Sequence, residues 1–195
     1  IGGTTPGNTA TDHDQVNVTG TVTLAGTLDV INFGGFTATL GDTFTIINND
    51  DTDAVSGTFD GLAEGGAFEL AGRVFTVSYV GGDGNDVVLS AEGTGFVVTN
   101  LNDSGAGSFQ QAVTDANNSA GLDIITFNVA GAIPLDALSP VPVVADPLII
   151  DGTSAPGYAG SPVVELQGDT ILGSGLEFFT GSEGSIVNAL SITAF

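Results

Sequence analysis

The chain of 195 residues has no Cys, Met or Trp, and Lys and Arg together number one, the single Arg73. Without Cys there is no disulfide, no thiolate zinc site and no cysteine nucleophile. Without Lys there is no Schiff base, no phosphate-binding lysine of the Walker type and no lysine-linked isopeptide bond. Arg73 and His13 stand against 23 carboxylates, a formal net charge of -22. No basic cluster exists to neutralise phosphates, which excludes nucleic-acid partners and docking on anionic lipid. No apolar run approaches the ~18 residues of a membrane helix. The most apolar stretch, 141–150, is broken by Pro142, Asp146 and Pro147. No signal peptide is visible and Ile1 is not an initiator Met, so the chain reads as a processed or excised piece of a longer protein.

What remains belongs to a folded chain. Only 12% of residues are charged and 42% are hydrophobic, so the apolar content is not that of a disordered polyelectrolyte. The length suits one or two domains with a real core. Scarce Lys, absent Cys and abundant Gly, Thr, Asn and Asp match exported bacterial surface proteins, so an extracellular or cell-surface location is expected.

Residues 1–14 lack periodicity and are expected to form an N-terminal arm or linker. From Val16 to Leu89, short segments alternate apolar and small polar side chains between Gly, Asn and Asp turns, predicting a β-rich repeat module over 15–92. Residues 91–95 form a boundary. A strand is predicted at Phe96–Thr99, then a helix near 108–118. Ser108-Phe-Gln-Gln111 fits a capping box, and Phe109, Ala112, Val113 and Ala116 share one face, with Gly121 able to end the helix. From Leu148 on, apolar triplets recur every 10–15 residues between Gly, Asp and Ser, the rhythm of a parallel β-helix. The expected fold is all-β: an N-terminal β-solenoid or β-sandwich module, then a parallel β-helix module over 95–195 with one capping α-helix.

Specific text supports this. Val98-Thr-Asn-Leu-Asn-Asp-Ser-Gly-Ala-Gly-Ser-Phe-Gln-Gln-Ala-Val113, Asp123-Ile-Ile-Thr-Phe-Asn128, Ile149-Ile-Asp-Gly-Thr-Ser-Ala-Pro-Gly-Tyr158 and Pro162-Val-Val-Glu-Leu166 resemble right-handed parallel β-helix modules of large bacterial surface proteins. The usual form has Leu-Arg-Gln where this chain has Phe109-Gln110-Gln111, so the family's common Arg is missing. Residues 16–90 resemble a repeat unit of such proteins, autotransporter-like ones included, through Val18-Thr-Gly-Thr-Val-Thr-Leu24, Gly41-Asp-Thr-Phe-Thr-Ile46, Gly57-Thr-Phe59 and Gly81-Gly-Asp-Gly-Asn-Asp-Val-Val-Leu89. The resemblance implies an adhesive or structural role rather than a particular chemistry.

Two loops carry oxygen ligands suited to a hard cation. The turn 81–89 matches the calcium-binding nonapeptide of β-rolls, with Asp83, Asn85 and Asp86 as ligands. One copy supplies half a site, and a glycine turn with solvated acids is the preferred reading. Asn48-Asn-Asp-Asp-Thr-Asp53 offers Asp50, Asp51 and Asp53 but lacks the Gly and distal Glu of an EF-hand, so a solvated loop is preferred there too. Because so anionic a chain repels itself, weak Ca²⁺ binding somewhere is better supported than any single site. No cofactor is required by any motif. Asp12-His13-Asp14 reads as a solvated polar stretch.

Enzyme chemistry fares poorly. The β-helix half holds no Arg, Lys or His, which removes the basic residue a polysaccharide lyase needs. Paired carboxylates for hydrolysis would have to come from Asp136, Asp146, Asp151, Glu165, Asp169, Glu177 and Glu183, most of them in turns. No catalytic residue is assigned. Three sequons, at Asn17, Asn102 and Asn117, are expected by chance in such a composition.

The open ends of a β-helix present unpaired backbone and an apolar cross-section. The expected function is therefore structural, at the bacterial cell surface or in extracellular matrix. Its sharper form is a non-covalent filament subunit assembling head to tail through strand or rung pairing with copies of itself or neighbouring modules. The alternative is a carbohydrate- or calcium-dependent adhesin with glycans as partners; a polysaccharide-degrading enzyme ranks below both.

Overall fold

The structure, a computed structural model, describes residues 1–136, 141–168 and 173–195. It is all-β, with 35% strand and 6% helix, and winds as a β-solenoid of about 6 turns. Two compact units divide the chain, Ile1–Glu92 and Gly93–Phe195.

In the first unit, β1 (Val16–Val18) lies parallel on β2 (Thr43–Asn49), Val16 opposite Ile47 and Val18 opposite Asn49. A parallel bridge between Thr23 and Ser56 continues the stacking, so one coil rests on the next. Asn17 and Asn48 face each other and form an amide ladder, Asn48 Nδ2 donating to Asn17 Oδ1 at 2.9 Å. This parallel coil resolves the choice between solenoid and sandwich in favour of the solenoid. The rest of the unit is antiparallel: β3 (Ala67–Leu70) pairs with β4 (Arg73–Gly81), and β2 pairs with the start of β5 (Asp86–Val98). Connection length decides the first of these pairs. Ala71 and Gly72 alone join β3 to β4, both at positive φ (53° and 78°), which is the geometry of a two-residue hairpin turn. Parallel strands need a far longer crossover. Phe44, Phe75, Val77, Tyr79, Val87 and Leu89 form the core.

Residues 1–14, expected as an arm, are folded into this unit. Gly2 N–H donates to Asp12 O, His13 N–H to Thr5 O, and Phe33 N–H to Ile1 O. The physical anchor is His13, which is buried with its ring edge-on to Phe44 at 5.5 Å. An aperiodic, turn-rich segment gives no pattern from which such packing can be read.

The second unit begins with the end of β5, followed by α1 (Phe109–Asn117), β6 (Asp123–Phe127), β7 (Gly131–Pro134), β8 (Leu148–Asp151), β9 (Val164–Gln167), β10 (Ile186–Asn188) and β11 (Leu190–Thr193). One parallel ladder stacks Gly95 on Ile124, Ile124 on Ile149 and Ile149 on Ile186. A second stacks Ile133 on Leu166 and Leu166 on Ile192. A parallel bridge between Val144 and Phe178 marks a third face. This is a parallel β-helix. Ile125, Ile133, Val144, Ile150, Leu166 and Val98 fill its interior, each fully buried side chain contributing about 1.5–3 kcal/mol against exposure.

The helix forms where its signals fall. Ser108 is the N-cap, its hydroxyl accepting the Gln111 N–H at 3.2 Å. The capping box is only half made, because the Gln111 side chain donates to Asp115 Oδ1 at 2.7 Å instead of returning to the cap. Asn118 ends the helix ahead of Gly121. Phe109, Ala112, Val113 and Ala116 are buried, and Phe109 stacks on Phe127 at 5.9 Å.

Candidate functional site: two oxygen-rich loops and uncovered coil ends

Strand pairing brings the two oxygen-rich loops together. Ile47 of β2 sits opposite Val87 of β5, so the loop leaving Asn49 meets the turn that precedes Asp86. Asn85 Nδ2 donates to the carbonyls of Asp50 (3.0 Å) and Asp51 (3.2 Å). Asp86 Oδ1 accepts the Asn49 N–H at 2.9 Å, and Asn49 Nδ2 donates to Asp53 O at 2.6 Å. Asp50 Oδ1 in turn accepts the Gly20 N–H at 2.7 Å, tying in the coil above. Gly82 has φ +55°, and a Cβ there would collide with Asp86 Oδ2, so only glycine lets the turn close over that carboxylate.

The six residues expected as metal ligands are thereby sorted. Asn85 and Asp86 are buried, Asp50 is half-buried, and Asp51, Asp53 and Asp83 are exposed. Asn49, whose role depends on the register of β2 against β5, is buried as well. The side-chain amide oxygens (Oδ1) of Asn49 and Asn85 are buried without a hydrogen-bond partner. Among the described residues, no group of three or more His, Cys, Asp or Glu is gathered for a metal; the oxygens of the junction that are buried without a partner are side-chain amide oxygens.

The acids near His13 do other work. Asp12 Oδ2 accepts the Thr9 hydroxyl at 2.7 Å and the Thr9 N–H at 3.1 Å. The Thr9 hydroxyl chiefly, then its N–H, holds the Asp12 carboxyl below its ordinary 3.8, with His13 helping. His13 Nδ1 lies 3.3 Å from Gly3 O, facing the interior. In the β-helix, Asp151 caps a short 3₁₀ turn by accepting the Thr153 N–H, Glu183 accepts the Gly181 N–H, and Glu165 accepts the Thr193 hydroxyl across neighbouring coils. Glu177 is exposed. Asp169 lies outside the described residues.

Both units carry exposed apolar surface on their coils. In the first, a groove of about 350 Å³ is lined by Ile1, Val16, Leu28, Val30, Ile31, Ile46, Ile47 and Phe59, together with Asp14 and Asp29. Val16 and Ile31 are 58% and 66% exposed. In the second, the coil of β10 and β11 stacks its Val187 on Ile150 and its Ile192 on Leu166. Its own apolar residues Ile186, Val187 and Ile192 stay open to solvent.

Fold and surface together define a β-solenoid protein with stacked parallel coils and exposed apolar surface on them. The chain matches no family model, no curated protein and no solved structure.

Proposed function

We propose that this is a structural β-solenoid protein of the bacterial cell surface or extracellular matrix, whose copies associate head to tail through their coil ends. The observation that carries the reading is the exposed apolar surface on the coils of each unit. Ile186, Val187 and Ile192 lie exposed on residues that are buried one coil below. The groove at Val16, Leu28 and Ile31 is lined as well by Ile46 and Ile47 of β2. Strand edges of this kind pair with further strands, and a heterologous contact that does not close gives a fibre. The resemblance of residues 16–90 to autotransporter-like repeats and the composition support an extracellular setting. Without Cys or Lys, such a polymer is held by strands and apolar contact.

Ile31→Asp and Ile192→Asp test this, because both positions are exposed (66% and 45%) and neither is needed for the core. In sedimentation velocity, the unsubstituted chain is expected to form large species at raised salt, and each variant to remain monomeric with an unchanged melting temperature. Equal sedimentation of all three chains contradicts the reading.

A carbohydrate-dependent adhesin is the second reading, favoured by exposed aromatic rings at Phe33, Phe178, Phe179 and Tyr158. Aromatic faces at the surface suit sugar stacking. A glycan-binding screen with and without Ca²⁺ separates the two: selective glycan capture by a monomeric chain favours the adhesin.

A further inference from the structure

We propose that the junction of the two oxygen-rich loops is a Ca²⁺ site whose side-chain ligands are the amide oxygens of Asn49 and Asn85 and the carboxylate of Asp86. It is independent of the proposed assembly. Three observations carry it. First, Asn49 and Asn85 are each only 3% exposed, yet Oδ1 of both has no hydrogen-bond partner. Their orientation is fixed, because each Nδ2 already donates to backbone carbonyls of residues 50–53; turning either amide over would set oxygen against oxygen. Two buried acceptors at the junction are thus left without a donor, an arrangement that destabilises the fold until a ligand satisfies them.

Second, Asp86 is only 6% exposed, and the hydrogen bond it accepts comes from the neutral Asn49 N–H. Arg73 Nε donates to Ala38 O. A buried carboxylate needs a positive partner, and a water satisfies the amide oxygens without neutralising the charge. Third, Asp50, Asp51, Asp53 and Asp83 lie on the same two loops, so the local field attracts a cation strongly. Amide oxygens and an irregular loop suit Ca²⁺, whereas Mg²⁺ demands near-ideal octahedral geometry and keeps its water. The geometry departs from the sequence expectation: Asp83, Asp51 and Asp53 stay at the rim, while Asn49 enters the ligand set.

The test is a Ca²⁺ titration of the chelator-stripped full chain, followed by amide ¹H–¹⁵N NMR. Saturable shifts are expected at the backbone and side-chain NH groups of Asn49 and Asn85 and at Asp86, with a midpoint on the order of 10⁻⁴–10⁻³ M, and about tenfold weaker binding of Mg²⁺. Asp86→Asn keeps an oxygen for the Asn49 N–H but removes the charge, and is expected to weaken Ca²⁺ binding about tenfold or more. Asp83→Asn is expected to change it by no more than about twofold. The proposal is overturned if these resonances of the unsubstituted chain stay unmoved up to about 10 mM Ca²⁺, as a buried water in the junction would leave them. Equal shifts with Mg²⁺, or unchanged affinity in Asp86→Asn, overturn it as well.

Discussion

Gly82 has both a positive φ and a carboxylate where its side chain would be. Gly82→Ala is therefore expected to destabilise the first unit by about 1–3 kcal/mol, read as a lower urea midpoint. Ser108 holds the first turn of α1 through one hydroxyl, and Ser108→Ala is expected to cost about 1 kcal/mol. Asp12 supplies a pH signature. Its folded-state value lies below 3.8 because the Thr9 hydroxyl and N–H stabilise the carboxylate. A depressed carboxyl stabilises the fold above its unfolded value, and that contribution is lost as pH falls through the folded value. An NMR titration should therefore find the Asp12 midpoint below 3.8, and Thr9→Val should raise it. A midpoint unchanged by Thr9→Val would show that the hydroxyl is not the cause.

Elements differ in how far the sequence reveals them. The helix was legible because a Ser cap and a 3.6-residue apolar period coincide between Ser108 and Ala116. The coils of the second unit were legible because each buries a short apolar run, such as Leu148-Ile-Ile150, between Gly and Asp turns. Strand direction in the first unit was not, since apolar alternation is the same for parallel and antiparallel neighbours; the turn at Ala71-Gly72 decides it for β3 and β4. Nor was the meeting of the two loops. Sequence places Asn49 and Asp86 far apart, and only the β2–β5 register, with its irregularity between Thr45 and Ile47, joins them. The segment 1–14 hid for a related reason, its single packed ring at His13 leaving no period to detect. At this scale Phe109→Ala is expected to destabilise the second unit by about 3–5 kcal/mol, because a fully buried ring stacked on Phe127 leaves a cavity. Calorimetric or urea unfolding measures it, and a loss below about 1 kcal/mol would mean that the helix does not seal the core.

For the whole molecule, a net charge of -22 opposes any approach of two copies, while the exposed apolar surface on the coils favours it. Salt screens the first and leaves the second almost untouched, so assembly should strengthen as ionic strength rises. Binding at the Asn49–Asn85–Asp86 junction would add to that trend in Ca²⁺ but is not needed for it. Negative-stain electron microscopy of the purified chain, at low salt and then at about 0.15 M or more, shows whether copies stack into fibres. Dispersed particles at low salt and unbranched fibres at high salt are expected. Monodisperse single particles at every salt concentration would contradict it.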